Sequence, residues 1–172
     1  MKKLLLFLAT ILLLTSCELY YSSPKPTINL ISVALDYNKS RITPLTVTLS
    51  DQTSVIGQVE MLSKQAGYSF NNYRIYNENE KYYNAKGEPL SVNNLKPTIE
   101  ALFDELSTNI TKDDITIFYY SGHGALASSN ALPDEIRGNL AYNGCLAVGY
   151  QVDKDNLLTL YELHSGLQKL KG

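Results

Sequence analysis

The chain has 172 residues, 44% of them hydrophobic and 19% charged, with 10 Gly and 6 Pro, a composition that suits one globular domain and excludes fibrous, disordered and disulfide-scaffold classes. Fifteen Lys and Arg against 17 Asp and Glu give a formal charge of -2 and a pI near 5.7, which argues against a large basic surface and so against DNA or RNA as partner. The 13 Tyr and absent Trp skew the aromatic set without naming an activity.

Lys2 and Lys3 precede an apolar run from Leu4 to Leu14 that is broken only by Ala9 and Thr10, which reads as a signal peptide over residues 1–16 and is too short to span a bilayer comfortably. Leu14-Thr15-Ser16-Cys17 resembles the lipobox of bacterial lipoproteins. That resemblance implies a lipidated Cys17, an anchor to a membrane of the bacterial cell envelope, and a domain facing the periplasm or the exterior. Loss of Lys2 and Lys3 with the leader makes the mature chain more acidic, so the anchor is lipid rather than a polybasic patch. Cys17 and Cys145 are the two cysteines; with Cys17 lipidated, Cys145 is a lone thiol and an intrachain disulfide is excluded.

Residues 17–27 carry Ser22, Ser23, Pro24 and Pro26 and read as an extended tether, with a domain over 28–172. Thr27 to Leu35 is a β-branched apolar run, the pattern of a strand buried on both faces. Val55, Val59, Leu62 and Ala66 are spaced as one helical face, with Ser50 or Asp51 as cap and Gly67 past the end. Tyr73 to Tyr76 predicts a short strand, and the polar stretch from Asn77 to Gly87 a loop. Leu95, Ile99, Leu102, Phe103 and Leu106 predict a second helix, with Asn94 before it and Pro97 in its first turn, where the missing N–H does no harm. Ile115 to Tyr120 is a strong buried strand; Leu146 to Tyr150 is a short one. Thr159 and Glu162 form a capping box that opens a helix bearing Leu160, Leu163, Leu167 and Leu170 on one face. Alternation of strand and helix argues for an α/β fold with a mainly parallel sheet and right-handed crossovers.

In such sheets reactive groups gather beyond the carboxyl ends of the strands, where Ser121-Gly122-His123-Gly124 follows the Ile115 run. Glycines on both sides let the backbone turn sharply and bring a carbonyl close to a main-chain N–H. A histidine there can take and return a proton near neutral pH.

Residues Asp113 to Gly124 (DDITIFYYSGHG) resemble the histidine motif of the caspase and metacaspase superfamily of cysteine endopeptidases. The first strand, Gly67-Tyr68 and the late Leu-rich helix follow that family's order. The resemblance implies a three-layer αβα sandwich and peptide-bond hydrolysis by a Cys-His dyad on a protein or peptide substrate. It makes His123 the residue that handles the protons and the N–H of Gly124 an oxyanion donor. The family's nucleophile stands in an Asp-x-Cys-x-Ser-Gly motif on a strand after the Leu-rich helix, and that motif is missing here. The domain therefore reads as truncated before the nucleophile strand, with the edge of the Ile115 run open to pairing, and a complementary chain is one source of the missing strand. Cys145 as nucleophile lacks the family context, and His164-Ser165-Gly166 as a decayed remnant falls inside a predicted helix. A catalytically inactive lipid-anchored binding module, or a decayed fragment, are the alternatives to an enzyme. No cofactor is expected. Asp113 with Asp114 and Asp153 with Asp155 are pairs that some metacaspases' use of calcium brings to mind, although the local sequence reads as a strand start and a solvated loop.

Overall fold

A computed structural model describes residues 24–38, 42–78, 81–126, 134 and 136–170. Cys17 and the leader lie outside the described residues. Element order is β1 (Thr27–Ala34), α1 (Thr48–Ala66), β2 (Ser69–Glu78), β3 (Lys81–Tyr83), β4 (Pro89–Leu90), α2 (Lys96–Asn109), β5 (Ile115–Ser121), β6 (Gly124–Ala125), β7 (Cys145–Ala147), β8 (Leu157–Thr159) and α3 (Leu160–Gln168). One sheet has the order β4-β3-β2-β1-β5, and a small antiparallel sheet has the order β6-β7-β8. The fold is thus mixed α/β, its three long strands parallel and its main sheet flanked by helices.

The apolar run predicted as a strand becomes the middle strand β1, buried from Ile28 onward. Its alternate residues serve two faces. Ile31, Val33 and Leu35 join Ile99, Phe103 and Leu106 of α2 in the main core, where the rings of Phe103 and Phe118 stand 6.1 Å apart. Ser32 looks the other way, toward α1.

Helix α1 departs from its expected face and start. It opens at Thr48, after Val47, and no side chain caps it; Ser50 and Asp51 lie within its first turn. Its buried positions are Thr48, Gln52 and Ser63, whereas Leu62 is 55% exposed and Ala66 is also exposed. Gln52 causes the rotation: its Nε2 donates to the carbonyls of Ser32 and Ile75 at 2.9 Å each, and its Oε1 accepts from Arg74 Nε at 2.8 Å. An amide that satisfies carbonyls under the helix is worth burying, and apolar spacing carries no sign of it. Gly67 ends the helix at φ 75°, as the sequence indicates.

Strand β2 is longer than Tyr73–Tyr76, and the stretch expected to be loop contains β3, antiparallel to β2. Tyr82 is buried there against Tyr150, and Tyr83 stacks on Tyr76 at 5.3 Å. Two tyrosines thus supply a packing surface that the surrounding Asn and Glu conceal. Helix α2 and strand β5 lie where the periodicity puts them, but β5 is half-buried or exposed at every residue rather than buried, because it ends the sheet among the described residues. Near the C-terminus, the expected strand over 146–150 is reduced to β7, and the unexpected β8 pairs with it. The capping box on α3 is present in both directions, with Glu162 also held by Lys96 Nζ at 2.6 Å. Leu160 is 51% exposed rather than on the inner face, which Leu163, Gly166, Leu167 and Leu170 form.

Candidate functional site

β1 and β5 run parallel with Ala34 beside Ser121, so the chain leaves both strands at the same end of the sheet. After β1, Asp36 and Asn77 of β2 clasp each other: the Asp36 N–H donates to Asn77 Oδ1 at 2.8 Å, and Asn77 Nδ2 donates to Asp36 Oδ1 at 2.7 Å. Tyr37 follows in the left-handed region at φ 56°, a conformation that costs a non-glycine residue about 1 kcal/mol or more. The Leu45 N–H donates to Asp36 O at 2.7 Å and ties the loop residues 42–45 to the end of β1.

That loop brings the Thr43 carbonyl to 2.7 Å from His123 Nε2. A carbonyl oxygen only accepts, so Nε2 carries the ring proton and Nδ1 holds the lone pair of the neutral imidazole. Nδ1 is therefore the basic atom of the neutral ring, and the Thr43 carbonyl fixes the ring's orientation. The Tyr37 ring lies against the imidazole, centroids 4.9 Å apart.

His123 also lies on a cavity of about 520 Å³. Ile42, Ala125, Ala147, Val152 and Leu157 supply apolar wall, and Thr43, Gln151 and Asp153 are its polar part. Gly124 lines it as well and is exposed. In the β6–β7 ladder Gly124 is opposite Leu146, one step from the pair in which the Ala147 N–H donates to His123 O at 2.9 Å. Hydrogen-bonded and non-bonded pairs alternate, so the Gly124 N–H turns away from β7. His123 and Gly124 thus line one cavity.

Cys145 does not join them. It is buried on β7 opposite Ala125 and Thr159, its Sγ donates to the Tyr142 carbonyl at 2.8 Å, and the cavity at His123 is lined without it. Burial, with the Glu162 carboxylate nearby, pushes its thiol pKa up, which favours the unreactive thiol over the thiolate. His164 lies on an exposed position of α3, and Ser165 with Gly166 on the same helix, remote in sequence from the histidine loop.

One carboxylate of each acidic pair already accepts local hydrogen bonds. Asp114 accepts from the N–H groups of Thr111 and Thr27 at 2.7 and 2.6 Å, and Asp153 Oδ1 accepts from Asp155 N, Asn156 N and Asn156 Nδ2. Among the described residues no group of three or more His, Cys, Asp or Glu is placed to hold a metal ion, and no helix is long and apolar enough to cross a membrane.

Sequence reasoning missed Thr43, Tyr37 and Tyr120. Both tyrosines stand at the carboxyl ends of parallel strands, the place where such sheets gather functional groups, and that coincidence is readable before the fold is known. Thr43 acts through its main chain, so its side chain gives no signal. No family model matches the chain, and no curated protein matches it.

Proposed function

We propose that this domain is the histidine-bearing part of a caspase-like cysteine endopeptidase, carried on a lipid anchor at Cys17 at the surface of a bacterial envelope membrane. The observation that carries this reading is His123 Nε2 fixed on the Thr43 carbonyl at 2.7 Å beside an open cavity, with the Gly124 N–H directed away from its own ladder. His123 Nδ1 takes the proton of a thiol and returns it to the leaving amine, and Gly124 stabilises the tetrahedral oxyanion. The thiol comes from a strand seated on the outer edge of β5, where no strand pairs among the described residues. Protein or peptide is the substrate, and a complementary chain is one partner able to provide the strand.

A second reading, a non-catalytic lipid-anchored binding module, is favoured by the burial of Cys145 away from the cavity. A peptide acyloxymethyl ketone, which alkylates an activated thiol, separates the two when applied to membranes containing the full chain. Labelling that survives Cys145→Ala and vanishes in His123→Ala supports the endopeptidase. Loss of labelling in Cys145→Ala as well overturns the assignment of the thiol to another strand. Absence of labelling in all three supports the binding module.

A further inference from the structure

Two tyrosine hydroxyls lie beneath the histidine loop with bonds that an ordinary strand pair does not need. In register with Gly124 opposite Leu146, His123 is opposite Ala147, and the first of the two ladder bonds expected of such a pair is present, Ala147 N–H to His123 O at 2.9 Å. The reciprocal bond is absent. The His123 N–H instead donates to Tyr37 Oη at 3.0 Å, and Tyr37 Oη lies 2.6 Å from the Ala147 carbonyl. A hydroxyl has thus been inserted into the ladder as acceptor on one side and donor on the other.

Tyr120 Oη closes the network from the other strand, 2.6 Å from Tyr37 Oη, 2.7 Å from Ala147 O and 3.0 Å from His123 O. Two hydroxyl protons are shared among these acceptors, so neither tyrosine is redundant. Gly122 makes the room: a Cβ there would stand 2.5 Å from Tyr120 Oη and 2.7 Å from Tyr37 Oη. Its requirement is space for the hydroxyls rather than a special backbone angle. The left-handed backbone of Tyr37 is what aims its hydroxyl into the ladder while its ring faces the imidazole.

We propose that Tyr37 is a positioning residue: its hydroxyl wedges open the His123–Ala147 pair and so sets the His123 ring on the Thr43 carbonyl with Nε2 protonated. Its importance for turnover rests on the reading of His123 as the base of a peptidase, but the wedge itself is measurable without substrate.

The test is NMR on the full chain in detergent micelles with ¹⁵N-labelled histidine, His164→Gln assigning the second ring. The unmutated chain is expected to show His123 as the Nε2–H tautomer. In Tyr37→Phe the ring shifts move toward a mixture of tautomers, and the His123 amide exchanges about tenfold faster, the scale of one lost hydrogen bond. Tyr120→Phe, which leaves the Tyr37 hydroxyl in place, moves the ring less. Ile99→Val, a core change on α2 outside the hydroxyl network, lowers stability with the ring shifts unmoved. A folded Tyr37→Phe with unchanged ring shifts and amide exchange overturns the proposal, as does an equal response in Ile99→Val. Should Tyr37→Phe fail to fold, the unmutated chain decides: a slowly exchanging Tyr37 hydroxyl proton in contact with the His123 amide supports the wedge, and its absence overturns it. A ring response to Tyr37→Phe without any ketone labelling leaves the wedge standing and removes the peptidase reading.

Discussion

Tyr37 and Tyr120 hold protons in a place where ionisation is costly. Burial raises both pKa values above the ordinary 10.0 of tyrosine; the partner hydroxyl adds to the rise at Tyr120 and opposes it at Tyr37. The folded state therefore binds these protons more tightly than the unfolded one. Their contribution is fully present below about pH 10 and is lost as pH rises past the unfolded value toward the folded one. Thermal melts are expected to hold steady from neutral pH up to about pH 10 and to fall above it, with a shallower fall in Tyr120→Phe. An unchanged slope in that variant would count against the buried pair as the source. Cys145 carries a second prediction. With Cys17→Ser leaving Cys145 as the lone thiol, its reaction with an aromatic disulfide at neutral pH should be slower by at least an order of magnitude in the native chain than in denaturant. Equal rates would place the thiol at the surface and reopen it as a nucleophile.

Helices α2 and α3 meet closely because α3 has a glycine where they touch. A Cβ on Gly166 would run into the Phe103 ring, which is itself packed on Phe118 of β5. Gly166→Ala gains helix propensity, yet the forced repacking should destabilise the domain by about 1–3 kcal/mol, measured as a shift in urea midpoint at constant slope. A stabilised variant would mean that the helices can separate freely. The start of β5 is fastened differently. Burial opposes the charge of Asp114, but the N–H groups of Thr111 and Thr27 and the Thr111 hydroxyl outweigh it and hold the carboxyl below its ordinary 3.8. This stabilisation is present above that value and is lost as pH falls through the folded pKa. Asp114→Asn should flatten the acid limb of a stability–pH curve below about pH 4, while an unchanged limb would locate the acid sensitivity elsewhere.

The main sheet is unequal at its two sides. One side tapers into the β3 and β4 hairpin, whereas β5 ends it with a seven-residue strand that has no charge, Pro or Gly and no partner on its outer edge among the described residues. Every position of β5 is half-buried or exposed, in contrast to its neighbour β1, which is buried along nearly its whole length. Such an edge is a template for another strand. Sedimentation of the full chain in detergent is expected to show association that grows with concentration and is weakened at least severalfold by Ile115→Lys, a charge at a 42% exposed edge position. Association unaffected by that change would place the contact on another surface.

Local pattern was enough for β1, α2, β5, the Gly67 stop and the Thr159 capping box, because each depends on periodicity or on side chains a few residues from the backbone they satisfy. Local pattern also singled out His123 with Gly124, since a glycine-flanked histidine at the end of an apolar strand is visible within twelve residues. The tertiary fold decided the rest. Burial of Gln52 became favourable only beneath the carbonyls of Ser32 and Ile75, and Tyr82 formed strand β3 only with β2 and Tyr150 to pack against. The Tyr37 hydroxyl enters a ladder between residues 123 and 147, and Thr43 orients His123 through a main-chain oxygen 80 positions away. Interactions of that range reward residues for the partners the fold brings to them, and a polar side chain or a bare carbonyl carries no mark of those partners in its own neighbourhood.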